Sequence, residues 1–159
     1  MSMIAEEKAM KVLAFCRNEN MRLVTVESCT AGLIIASLTD ISGSSDVVDC
    51  GFITYSNEAK SRLVAVSPIL IETHGAVSRE VAIAMAEGGL RHSTADITIA
   101  VTGIAGPKSD KTRKPVGLVH FAVARKNHRT RHKEENFGTL ERAKIRQKTV
   151  ERALDFICE

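Results

Sequence analysis

Tryptophan is absent, tyrosine occurs once, as Tyr55, and aromatic residues make up 4% of the 159 residues. That scarcity argues against a base-stacking platform for single-stranded nucleic acid and leaves aliphatic side chains and alanine to fill a core. Cys16, Cys29, Cys50 and Cys158 form no CxxC pair and have no histidine cluster beside them, so neither a metal site nor a cofactor is expected. No apolar run approaches membrane-spanning length. The opening Met1–Met10 stretch carries Glu6, Glu7 and Lys8 where a secretory signal needs an apolar segment. A strong charge of one sign is missing too: the net charge of +3 is too small to imply nucleic acid by itself. What is present is 44% hydrophobic residues, enough for one folded domain over 1–159 with a real core. The expectation is a cytoplasmic protein with no membrane and no nucleic-acid partner.

Periodicity gives the elements. Ala5, Ala9, Val12, Leu13 and Cys16 keep helical spacing, and Asn18–Asn20 closes that helix. Arg22–Val26 reads as a strand, residues 30–38 as a helix apolar nearly all round, and Ser42–Ser45 as a loop. A strand over Gly51–Tyr55 follows, then a short helix with Asn57 as its cap and Lys60 inside. Pro68 opens a further helical piece that Gly75 stops, and Ser78 caps the helix carrying Val81, Ala82, Met85 and Leu90. Ile97–Val101, Val116–Ala124 and Thr130–Phe137 are strands, the last two a hairpin around Lys126–His128. Arg129, Arg131 and Lys133 alternate as on an exposed edge strand. Thr139 caps a final helix. Early α/β alternation with a late hairpin predicts a three-layer α/β/α sandwich whose mixed, mostly parallel sheet has about five strands.

Chemistry concentrates after the first strand. Glu27-Ser28-Cys29-Thr30-Ala31-Gly32 sets a hydroxyl and a thiol at a strand's carboxyl end and a helix start, where ligands bind in open α/β sheets and free N–H groups can meet an oxyanion. Ser28 is the candidate nucleophile. Backbone N–H groups near Thr30 would hold the oxyanion. Serine and threonine at such a boundary are ordinarily only helix caps. Cys29 is the rival nucleophile, its thiol activated by a helix N-terminus, or else a small buried residue. Lys60 is the candidate base: an early helix position and partial burial both favour a neutral amine, which can take a proton from serine. Tyr55 ends the second strand near the same edge and would orient the lysine or donate a proton. Thr102-Gly103-Ile104-Ala105-Gly106-Pro107 leaves another strand end, where glycines let backbone approach a ligand closely. Lys108–Lys114 then carries four basic residues and Asp110, suited to closing over a phosphate. Gly43, Ser44 and Ser45 offer small hydroxyls and N–H groups. Arg142 and Arg146 share a face of the last helix and form either a phosphate grip or a solvated face.

These segments, with Gly75-Ala76-Val77-Ser78 and Lys114-Pro115-Val116-Gly117, run in an order that resembles the CinA C-terminal domain family, whose enzymes are nicotinamide mononucleotide deamidases. The resemblance spans nearly the whole chain. It implies an α/β/α domain that hydrolyses a carboxamide to a carboxylate and ammonia without a metal. It also implies Ser28 as nucleophile, Tyr55 and Lys60 as its activating partners, and Ser45 and the Thr102–Gly103 turn as ligand contacts. The implied partner is a small nucleotide substrate, with homo-oligomerisation left open. The family includes longer proteins with an extra N-terminal domain, so the stand-alone form is expected here. Where the family usually has a glycine-containing loop, this chain has Lys108–Arg113. A catalytically silent nucleotide- or partner-binding module of the same fold is the alternative that this departure would suit. An amidase for another pyridine or nucleoside amide is a third.

Overall fold

The computed structural model describes residues 2–109 and 111–159; Asp110 of the basic loop therefore lies outside the described residues. The chain runs α1 (Met3–Asn18), β1 (Leu23–Glu27), α2 (Leu33–Thr39), a 3-10 turn (Ser44–Asp46), β2 (Val48–Ile53), α3 (Asn57–Val64), α4 (Pro68–His74), α5 (Arg79–Arg91), β3 (Ile97–Gly103), β4 (Leu118–Arg125), β5 (Arg131–Asn136) and α6 (Arg142–Cys158).

The five strands form one sheet in the order β2-β1-β3-β4-β5. β1 pairs in parallel with β2 and β3, while β4 pairs antiparallel with β3 and β5. Only β4 is reversed, so the mixed, mostly parallel five-stranded sheet expected from the sequence is what forms. Boundaries moved modestly: β2 starts at Val48 and stops at Ile53, before Thr54 and Tyr55, and β3 continues to Gly103. α2 starts at Leu33, three residues later than its apolar run suggests, because Ala31 and Gly32 are left-handed (φ 50° and 98°) and make a tight turn first. Ser56, not Asn57, caps α3 by accepting from the Ala59 N–H at 3.0 Å. At α6 the cap position is Glu141 rather than Thr139, with no side-chain cap bond.

The two faces of the sheet are built differently. Leu23, Ile97, Ile99, Val101 and Phe121 pack on α1, α2 and α6. The opposite face is lined by Val26, Ala100, Ala122 and Ala124 under α5, small enough for that helix to sit close. A Cβ at Gly89 would come within 2.6 Å of Val26 and 2.8 Å of Thr98. One at Gly88 would stand 2.0 Å from the Val64 carbonyl oxygen of α3. Helix α5 therefore draws α3 in behind it, and α3 carries Lys60.

The connections after β1 and after β2 cross opposite faces of the sheet. In such sheets the point where connections diverge leaves a crevice at the carboxyl ends of the strands. Here it is bounded by the residues following β1, β2 and β3.

Candidate active site

Ladder hydrogen bonds continue one residue past the strands and fix the start of each loop. Ser28 N–H donates to Val101 C=O at 3.1 Å, and Thr54 N–H donates to Glu27 C=O at 2.9 Å. Ser28 and Thr54 are thus held side by side above adjacent strands. Beneath them Lys60 comes up from α3 with 1% of its surface exposed. Its Nζ lies 3.1 Å from Ser28 Oγ, 2.9 Å from Thr54 O and 3.3 Å from Tyr55 O.

No carboxylate is hydrogen-bonded to this amine among the described residues, and burial pushes it down from 10.5 to about 8. A neutral amine has two N–H bonds and one lone pair. Two carbonyl acceptors take the hydrogens, which leaves the lone pair for the Ser28 hydroxyl. The same burial acts oppositely on Cys29. Its thiol is pushed up to about 12, because desolvation disfavours a thiolate as it disfavours an ammonium. Burial therefore favours the reading of Cys29 as a small buried residue over a helix-activated thiolate, and the free N–H groups of α2 are in any case already taken. Glu27 occupies them, accepting from Gly32, Ile34 and Ile35 N–H at 2.9, 3.1 and 2.9 Å and from the Thr30 hydroxyl at 2.7 Å. The Thr30 side chain is therefore spent on Glu27, and Thr30 has only its N–H to offer.

Ser28 and Lys60 open onto a cleft of about 270 Å³ lined also by Cys29, Tyr55, Asn57, Ala76, Val77, Thr102–Gly106, Lys108 and Arg142. Thr102 is held by its hydroxyl donating to Ala76 C=O at 2.8 Å. Arg142 donates to Gly106 C=O at 2.8 Å and to the Tyr55 hydroxyl at 3.1 Å. Tyr55 is 58% exposed: its carbonyl serves the lysine, while its phenol stands on the rim with the arginine. Lys114, at the end of the basic loop, donates to the backbone oxygens of His74 and Val77, closing the wall between α4 and α5.

The sequence candidates thus separate. Ser28, Lys60, Tyr55, Thr102, Gly103, Gly106 and Arg142 converge on one cleft. Gly43, Ser44 and Ser45 do not reach it within one chain. They immediately precede β2 and so lie at the amino end of the sheet, where Gly43 C=O accepts from Arg17 at 2.6 Å. The roles of two residues were not legible in the sequence. Glu27 was visible only as the first residue of the Glu27–Gly32 segment. Arg146, read as phosphate grip or solvated surface, instead donates to Cys29 C=O and Thr30 C=O, each at 3.0 Å. Among the described residues no group of three metal-ligating side chains is assembled, and no helix is long and apolar enough to cross a membrane.

Fold and site together define a small α/β domain with a serine–lysine pair at the switch point of its sheet. The CinA C-terminal domain description matches residues 5–159, and the chain belongs to that family. Its fold is similar to that of the competence/damage inducible protein CihA from Agrobacterium tumefaciens, at 44% identity over 99% of this chain and 97% of that one, with a TM-score of 0.94. The competence damage-inducible protein A (ComA) from Klebsiella pneumoniae is similar at 32% identity and a TM-score of 0.93, over 97% and 94% of the two chains. A CinA-like protein of Mycobacterium avium is 58% identical over 102 residues, which is 64% of this chain and 24% of that protein. The chain thus matches about a quarter of that curated relative's length.

Proposed function

We propose that this protein is an amidohydrolase that converts nicotinamide mononucleotide and water to nicotinate mononucleotide and ammonia through a Ser28–Lys60 pair. The observation that carries this reading is the 3.1 Å approach of a buried amine, with no carboxylate hydrogen-bonded to it among the described residues, to a serine hydroxyl at the mouth of a cleft. Lys60 takes the Ser28 proton as Oγ adds to the carboxamide carbon. The oxygen of the tetrahedral intermediate gains negative charge beside the Cys29 and Thr30 N–H groups. Lys60 then gives its proton to the amide nitrogen, the C–N bond breaks, and ammonia leaves an ester on Ser28. Water adds to that ester while Lys60 takes its proton. Return of that proton to Oγ releases the carboxylic acid, which loses its remaining proton to solvent, and restores the enzyme. Arg142 and Lys108 on the rim suit the substrate's phosphate by charge. The Tyr55 carbonyl holds Lys60, and its phenol holds Arg142.

The test is ammonia release from nicotinamide mononucleotide, with the mononucleotide acid identified as product, by wild type and Ser28→Ala. Turnover in the wild type and none in the variant is expected. Full activity in Ser28→Ala removes the serine from its role. Ligand-induced stabilisation without any ammonia selects a silent binding module, and turnover confined to other pyridine or nucleoside amides in a substrate panel reassigns the substrate.

A further inference from the structure

The Ser28 turn is gripped by two side chains, Glu27 and Arg146, neither of which lines the cleft. On one side the fully buried Glu27 carboxylate absorbs the N–H groups of Gly32, Ile34 and Ile35. On the other, Arg146 reaches across from α6 and donates through Nε to Cys29 C=O and through a terminal nitrogen to Thr30 C=O. Within the turn, Ser28 C=O accepts from Ala31 N–H at 3.1 Å, and Ser28 N–H is held by Val101. Among the described residues, the turn N–H groups left with no carbonyl or carboxylate acceptor are those of Cys29 and Thr30. Thr30 is wholly buried, and a buried N–H without an acceptor is rare in native proteins. It lies two residues beyond the nucleophile in the same turn, next to Cys29, which lines the cleft.

Each of those two N–H groups belongs to a peptide whose oxygen is pinned. The Ser28–Cys29 peptide is pinned by Ala31, and the Cys29–Thr30 peptide by Arg146. A guanidinium fixes two neighbouring carbonyls in one plane, as a single ammonium cannot. A cation on a carbonyl oxygen also withdraws electrons through the amide, making the N–H at its other end a stronger donor.

We infer that Arg146 is a positioning residue for amide hydrolysis: it aims and polarises the Cys29–Thr30 peptide so that the Thr30 N–H meets the oxyanion, with Glu27 bracing the turn from behind. This deepens, and rests on, the serine–lysine reading of the cleft. Arg146 acts through the backbone and touches no reacting atom.

The test uses a reaction that needs the same nucleophile and oxyanion donors but no natural substrate. A fluorophosphonate is attacked at phosphorus by Ser28 Oγ; the O–P bond forms, fluoride leaves, and the serine proton goes to Lys60. Ser28 labelling is timed by intact mass and peptide mapping in wild type, Arg146→Gln and Arg146→Lys, alongside kcat and KM for the mononucleotide. Arg146→Gln is expected to label at least tenfold more slowly and to lose at least tenfold in kcat, with KM within about threefold. Arg146→Lys, which keeps the charge but not the fork, falls between. The pH midpoint of labelling stays where it is in the wild type, because the Lys60 contacts are untouched. Wild-type labelling rates in Arg146→Gln overturn the inference; if that variant does not fold, wild-type rates in Arg146→Lys do. A wild type that does not label at Ser28 overturns the serine–lysine reading and this inference with it. Wild-type labelling without ammonia release unseats the substrate alone, and Arg146 is then judged by labelling rates.

Discussion

Lys60 and Lys126 are both lysines hydrogen-bonded to oxygen at opposite ends of the same sheet, and they are put to opposite use. At the amino end, Lys126 is 53% exposed in its side chain and pairs with Asp96 at 2.9 Å. The Asp96 carboxyl is held below its ordinary range first by the Arg22 N–H and then by Lys126. Nearby, Arg22 reaches Asp49 at 3.2 Å and Arg17 reaches Asp46 at 3.7 Å. Charges there are solvated and neutralise one another, which contributes little to stability. At the carboxyl end, Lys60 has lost its water and meets two carbonyls and a hydroxyl. Desolvation outweighs the opposing charge of Glu58 and, with no carboxylate hydrogen-bonded to it among the described residues, brings this amine down towards neutral pH. The difference lies in burial and partner type, not in residue identity.

The largest effect expected from breaking this contrast is at Lys60. Lys60→Met removes the proposed base and should lower kcat by about a thousandfold, within the range found for positioned proton-transfer groups. Stability should barely move. Lowering the amine from 10.5 to about 8 costs on the order of 3 kcal/mol at neutral pH. Methionine relieves that cost but leaves the buried Thr54 carbonyl without its donor, a loss of about 1–3 kcal/mol. Thermal melting within a few degrees of wild type, together with lost ammonia release, is the expected pair of results. A collapse in melting temperature would make Lys60 a structural residue.

The same depression fixes a pH dependence. In the proposed mechanism the working form of Lys60 is neutral, so kcat/KM should rise with pH and level off above about 8. Because the folded value lies below the unfolded one, the native state binds fewer protons between those two values. The Lys60 contribution to stability therefore rises with pH from about 8 towards 10.5 and is unfavourable below that window. An activity profile flat from pH 6 to 9 would remove the amine as base. Cys29→Ala should leave this profile and kcat within about twofold of wild type, since a thiol pushed up to about 12 supplies no thiolate.

Arg142 tests the rim. Its guanidinium touches Gly106 and Tyr55 but neither Ser28 nor Lys60 among the described residues, so in the proposed reaction it would serve binding rather than bond making. Arg142→Ala should raise KM for the mononucleotide about tenfold, the loss of roughly one charge-assisted hydrogen bond. Measured kcat should stay within about threefold, and the corresponding nucleoside, which lacks the phosphate, should lose nothing further.

How much of this was legible in the sequence follows from the range over which each signal acts. The sheet and its helices came through because burial imposes periods of two and about 3.6 residues locally. The small residues of the α5 face, Ala100, Ala122 and Ala124 with Gly88 and Gly89, were visible, but the close approach they permit was not. The Ser28–Lys60 pair was reachable because both sit just past strands that are neighbours in the sheet. Glu27 and Arg146 were not, since their partners are mostly backbone atoms, and backbone leaves no residue signature. Helix start signals misplaced two caps by one or two residues, Asn57 for Ser56 and Thr139 for Glu141, where adjacent polar residues compete for one role.

The smallest effect expected is at Ser45. The order of the chain places the Gly43–Ser45 turn before β2 and the cleft after it, so the two are separated by the length of that strand. Strand direction alone therefore predicts that Ser45→Ala leaves kcat and KM within about twofold of wild type, like Lys126→Ala at the same end. The informative outcome is the other one. A tenfold rise in KM for Ser45→Ala, with Lys126→Ala silent, cannot arise along a single chain whose β2 is extended. It would require a second copy to bring its own amino-end turn to this cleft, and wild-type activity would then fall on dilution below the dissociation constant. Activity per molecule that is independent of protein concentration, with Ser45→Ala unaffected, keeps the two ends of the sheet functionally separate.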